Sequence, residues 1–224
     1  MELEAQDIEI MMGLLTPRGS GAASAARAAG RSRAGGARES APIMSLVRRA
    51  RDEFERRRAV GDGVASAIMT LTAAEWDDGG SAGIQVVLAR QGADRALDAD
   101  EAAPLIHDCA VDGFKTGHAS RAAVLFATLL HLGTEPAEAL SGLALCAARL
   151  GKFEQALTLA TECLKLPVKH PRAYCIAGYC ELERGNRKAA QSLLALGARI
   201  ARNRPEFVED LRAAQRVLLV MHFA

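Results

Sequence analysis

Three glycines, Gly117, Gly151 and Gly185, stand 34 residues apart, and a fixed period of that length constrains the fold more than any other feature of the chain. Other positions recur in the same register. Ala122, Ala156 and Ala190 lie five residues after each glycine, and Ala110, Ala144 and Gly178 lie seven before it. A glycine closing a helix can turn left-handed, where a residue with a Cβ is penalised. Small residues on either side of the turn suit the place where two helices approach most closely. Large apolar residues repeat as well, Ile106, Leu140 and Tyr174 in one register and Leu132, Leu166 and Ile200 in another. Each period is therefore a helix–turn–helix unit with an apolar face it cannot bury alone, and stacking three of them makes one continuous core.

A period of 34 with these residue types is that of the tetratricopeptide repeat. The spacing predicts an all-α fold: three tetratricopeptide helix pairs (103–136, 137–170 and 171–204) in a short right-handed superhelix, with N-terminal helices before them and a capping helix over 205–224. The cap is expected to bury Phe207, Leu211, Ala214, Val217, Leu218 and Met221, and to turn Glu206, Glu209, Asp210, Arg212 and Arg216 outward.

The text upstream has a different character. Residues 1–17 carry Glu2, Glu4, Asp7 and Glu9 with no Lys or Arg, whereas residues 18–60 hold eleven Arg against four acids. From 18 to 41 the chain is almost entirely Ala, Gly, Ser and Arg. Nothing large and apolar is available there to offset the entropy of ordering, so disorder is expected. Ile43, Leu46, Val47, Ala50 and Phe54 mark a basic, amphipathic helix over 43–60, with Arg48, Arg49, Arg51, Arg56, Arg57 and Arg58 around it. Residues 64–76 read as a second helix, stopped by Asp77-Asp78-Gly79-Gly80. A short helix fits 84–90, and helical pairs are expected from Pro104 onward.

Composition argues against chemistry and against a membrane. The five cysteines (Cys109, Cys146, Cys163, Cys175 and Cys180) have no CxxC spacing and sit inside apolar helical patterns, so they read as reduced core residues of a cytoplasmic protein. The five histidines form no HExxH or similar ligand pair. Gly61-Asp62-Gly63 lacks the strand and the Lys-Ser/Thr of a phosphate loop. No catalytic residue, metal ligand or cofactor is expected. No apolar run approaches the ~18 residues of a membrane span, and the net charge of +1 gives no global reason for a nucleic-acid partner.

The details of the repeats resemble a narrower family, the class II chaperones of bacterial type III secretion systems, which hold hydrophobic translocator proteins in the cytosol before export. The stretch from His170-Pro171-Arg172-Ala173-Tyr174 through Gly178-Tyr179-Cys180 to Gly185 resembles that family's third-repeat opening. Leu150-Gly151-Lys152-Phe153 resembles its second-repeat turn, and Val124-Leu125-Phe126 fits its first repeat. The resemblance covers residues 62–224. Residues 1–60 have no counterpart in it, and His118-Ala119 stand where an aromatic is usual after the first glycine.

The resemblance implies a concave groove, lined by the first helix of each pair, that takes an extended segment of a translocator. Its inward positions fall on His107, Val111 and Phe114 in the first repeat, Ser141, Leu145 and Arg149 in the second, and Cys175, Tyr179 and Leu182 in the third. Such a lining is apolar, suited to leucine- and proline-type anchors, and lacks the Lys and Asn that clamp a terminal carboxylate. Residues 64–76 are a candidate homodimer surface. Two other readings stay open: a general tetratricopeptide adaptor, and a secretion regulator whose segment 48–58 touches nucleic acid.

Overall fold

A computed structural model describes residues 42–77 and 99–223. The disorder expected over 18–41, the short helix over 84–90 and the Gly79-Gly80 breaker lie outside the described residues. Within them the order is α1 (Pro42–Ala59), α2 (Gly63–Asp77), α3 (Ala99–Lys115), α4 (Ala119–Leu132), α5 (Pro136–Arg149), α6 (Phe153–Lys165), α7 (Pro171–Glu183), α8 (Arg187–Ala201), a 3-10 turn (Pro205–Phe207) and α9 (Val208–Phe223). Helix α3 begins earlier than expected, so Pro104 lies inside it. As the sixth residue of the helix it falls just beyond the four amides that lack helical partners, so its missing N–H costs one backbone hydrogen bond near the N-terminal end.

The three glycines do the same thing three times. Gly117, Gly151 and Gly185 all have positive φ (91°, 69° and 80°). After each, the next amide reaches back five residues: His118 N–H to Gly113 O at 2.8 Å, Lys152 to Ala147 at 2.9 Å, and Asn186 to Glu181 at 2.8 Å. These are the long-range bonds of Schellman caps, repeated in register. Pairs α3–α4, α5–α6 and α7–α8 form this way, and each pair stacks on the next through α4–α5 and α6–α7.

Small residues set how closely the layers approach. Ala110, Ala122, Ala144, Ala156 and Ala190 are fully buried. A Cβ on Gly142 would come within 2.6 Å of the Phe126 ring, and one on Gly178 within 2.8 Å of Leu194 Cγ. Ile106, Leu140 and Tyr174 are buried as expected, but Leu132, Leu166 and Ile200 are only partly so. The latter sit where the second helix of each pair ends and the chain leaves for the next pair, so one side remains open.

Helices α1 and α2 form a hairpin of their own. Asp62 closes it: Oδ1 accepts from Val64 N–H (2.8 Å) and Ala65 N–H (3.1 Å), while Oδ2 accepts from Arg57 Nε (2.7 Å). Burial pushes the Asp62 carboxyl up, but the Ala65 amide and Arg57 outweigh it and hold it below its usual value. The hairpin lies on the outer layer, α1 on α4 and α2 on α4 and α6. Phe54 and Ile68 are fully buried, with Met69 and Leu71 nearly so. Lys152 Nζ donates to Thr70 O (2.8 Å), and Arg121 meets Glu75 at 3.3 Å. Residues 64–76, the candidate homodimer surface, thus turn much of their apolar side toward their own repeats.

At the other end α9 covers α7 and α8. Here one expectation is corrected: Asp210 is buried rather than outward, because Arg172 Nε donates to its Oδ1 at 3.2 Å. The outer side of α9 also exposes Val208, Leu219 and Val220.

Candidate functional site: the concave layer

Helices α3, α5 and α7 bring six of the nine expected groove residues into two matching registers, 107, 141 and 175 in one and 111, 145 and 179 in the next, while Phe114 and Leu182 share a third whose middle member is Ala148 rather than Arg149. Val111, Phe114, Ser141, Leu145, Cys175 and Tyr179 are buried, and His107, Arg149 and Leu182 are partly accessible. Several have intramolecular contacts. The Arg149 guanidinium lies 4.9 Å from the Phe114 ring centroid and donates through Nη1 to Phe114 O at 2.7 Å, so the one cation among the nine is tied to its neighbour. Tyr179 meets Phe153 edge to face, with ring centroids 5.8 Å apart. Ser141 Oγ donates to Glu138 O at 3.0 Å. The His107 ring stands edge-on to Phe126 at 6.3 Å.

At the N-terminal ends of α5 and α7 a cavity of about 640 Å³ opens, lined by His107, Glu138, His170, Arg172, Leu166 and Phe207 among others. Of the nine expected residues it includes His107 alone. Its polar wall is a buried charge network. Glu138 accepts from His170 Nε2 and Arg172 Nη1, both at 2.8 Å, with His107 Nε2 3.8 Å away. Arg172 bridges onward to Asp210. Burial pushes Glu138 up, but His107, His170 and Arg172 outweigh it and hold the carboxyl well below the ordinary carboxylate range. For Asp210 the balance reverses: burial outweighs Arg172, and its carboxyl is raised.

Sequence reasoning missed this network because it looked for apolar inward positions. One signal was present: Glu138 and Arg172 lie 34 residues apart, charged residues at one register of successive repeats.

Burial pushes the thiols up, Cys109 to about 11 and Cys163 and Cys180 to about 12, so they stay protonated at neutral pH. Among the described residues no group of His, Cys, Asp and Glu is placed to hold a metal ion, and no helix is long and apolar enough to cross a membrane. On the outer hairpin, Arg51 pairs with Glu55 (3.0 Å), Arg56 with Glu53 (2.6 Å) and Arg57 with Asp62 (2.6 Å). Part of the basic charge of segment 48–58 is thus already neutralised.

No family model and no curated protein matches the chain. Solved structures do. PcrH from Pseudomonas aeruginosa is similar at 23% identity over 57% of this chain and 96% of its own, with a TM-score of 0.51. The chain has the tetratricopeptide fold of PcrH. PcrH in complex with the chaperone binding region of PopD superposes comparably, at 23% identity over 58% of this chain and 96% of its own, with a TM-score of 0.50. The type III secretion translocator chaperone SycD of Yersinia enterocolitica matches at 23% identity over 57% of this chain and 87% of its own, with a TM-score of 0.49.

Proposed function

We propose that the chain is a cytoplasmic chaperone of a type III secretion system, binding an extended hydrophobic segment of a translocator protein before export. Binding is stoichiometric and needs no nucleotide. The carrying observation is the chemistry of the concave layer. Val111, Leu145 and Tyr179 occupy one register of three successive repeats, and the neighbouring Arg149 is held against Phe114 rather than aimed at a ligand. An apolar row of this kind recognises apolar anchors, not a carboxylate. The fold it shares with PcrH, which has been crystallised with the chaperone binding region of PopD, supports the same reading.

Leu182 is the site for a test, because it is partly accessible and a charge there disturbs the core least among the apolar groove residues. Co-purification from the source cytosol is expected to bring down a hydrophobic secreted protein with the wild type. Leu182→Asp is expected to lose it while keeping its helical circular dichroism and melting temperature. Retention of that protein by the folded variant places the binding surface elsewhere. Capture of nucleic acid or of a soluble assembly by the wild type replaces the chaperone reading.

A further inference from the structure

The period shows which sides of the two end helices lack a neighbour. Positions 104, 108 and 112 of α3 stand one repeat before 138, 142 and 146 of α5. In α5 that row is covered by the preceding pair: Gly142 lies against the Phe126 ring of α4, and Cys146 is fully buried. Among the described residues α3 packs chiefly on α4, the α1–α2 hairpin lies on the outer layer, and Pro104, Asp108 and Asp112 are exposed. At the other end α9 continues the period as the first helix of a fourth pair. Asp210 and Ala214 are buried where Ile176 and Cys180 are buried in α7, but Arg212 is exposed where Gly178 of α7 meets Leu194 of α8.

We propose that these two faces bind each other between copies of the chain, α3 of one on α9 of the next, so that arrays join end to end. The faces match in charge and in spacing. With the helices antiparallel and Asp108 opposite Arg216, a step of four along one helix and back along the other brings Asp112 to Arg212. A further step of three brings Lys115 to Glu209, so all three charge pairs have opposite signs. In the other direction Leu105 meets Leu219. A cap that met only water would be polar on its outer side, yet Leu219 is 59% exposed and Val220 38%. The charged groups are accessible. The Asp108 side chain is 67% exposed, with His107 Nδ1 3.6 Å away, and that of Arg212 is 59% exposed, paired with Glu209 of its own helix. Exposed pairs of that kind contribute little, so neither holds its member against a competing charge. Because the faces lie at opposite ends of the stack, the contact is heterologous and adds copies in a row unless a ring closes. A single helix-on-helix contact is small, so the association is weak and sensitive to salt.

The contact uses none of the nine groove residues and none of residues 64–76, so it stands or falls independently of the chaperone reading. Sedimentation of the full chain at concentrations up to ~0.5 mM tests it, since that range populates contacts of sub-millimolar Kd. In low salt the weight-average mass of the wild type is expected to rise with concentration, and to return toward that of one chain as salt is raised to ~0.5 M. Asp108→Arg/Asp112→Arg and Arg212→Asp/Arg216→Asp each set like charges opposite one another. Each is expected to weaken association at least ~10-fold while keeping its helical circular dichroism. The variant carrying all four changes restores opposite signs and is expected to associate again, as is a mixture of the two double variants. A wild type that stays monomeric at every concentration overturns the proposal, and that arm needs no variant. So does association that survives either reversal, or that the fourfold variant fails to recover.

Discussion

The α1–α2 hairpin and the three repeats use the same kind of turn and hold it in different ways. In both, a glycine of positive φ is followed by an amide that reaches back five residues; in the hairpin this is Asp62 N–H to Arg57 O at 3.0 Å. In the hairpin the next helix starts on a side-chain cap, with Asp62 accepting two amides and an arginine. In the repeats, α4, α6 and α8 start after His118, Lys152 and Asn186 with no side-chain cap at all. A repeat is held by the neighbours stacked against it, so its turns can leave local hydrogen bonds to water. The hairpin packs on one side only and depends more on its own cap. Local and tertiary stabilisation therefore trade places between the two regions.

The largest effect is expected in the repeats, where α5, α7 and α9 meet. Arg172→Ala leaves Glu138 and Asp210 buried without their shared cation, and should cost about 3–5 kcal/mol in denaturant unfolding. A loss below about 1 kcal/mol would mean that the charge network positions the helices without stabilising the stack. The same network sets a pH dependence. The folded Glu138 carboxyl is lowered from its unfolded value of 4.5, so its contribution is present above that pH and is lost as the pH falls below it. Asp210, raised in the fold, opposes this in part. Unfolding curves collected from pH 7 to pH 3 should show stability falling below about pH 5, and Glu138→Gln should flatten the slope.

The hairpin supplies the sharper contrast. Asp62→Ala should cost about 1 kcal/mol through loss of the cap, while His118→Ala, at the equivalent place in the first repeat, should change stability by less than about 0.5 kcal/mol. Equal effects would abolish the distinction between locally capped and tertiary-held turns. Smallest of all is the seam between the regions. Arg121→Ala breaks an exposed pair with Glu75 and should cost about 0–1 kcal/mol, read as hydrogen exchange of α2 amides rather than as a global change.

Much of this architecture was legible before any coordinates. The positions 117, 151 and 185 were readable because a left-handed turn restricts residue choice, and Ala122, Ala156 and Ala190 because close helix packing restricts size. Asp210 was misassigned to the outer side of the cap. Helical spacing says which face a residue shares, but not that Arg172, 38 residues earlier, will draw a charge inward. Glu138 was passed over for a related reason, since a buried carboxylate is tolerated only where donors converge from other helices.

For the site, the sequence alone determined which residues share a register along α3, α5 and α7, because register follows from a strict period. Only the tertiary structure decided that Arg149 is tied to Phe114, that Tyr179 packs on Phe153, and that α5 is buried from 139 to 148 and α7 from 171 to 180. Those outcomes depend on distances between helices far apart in the chain. A one-dimensional pattern limits such distances through side-chain size without specifying which charges and rings will meet.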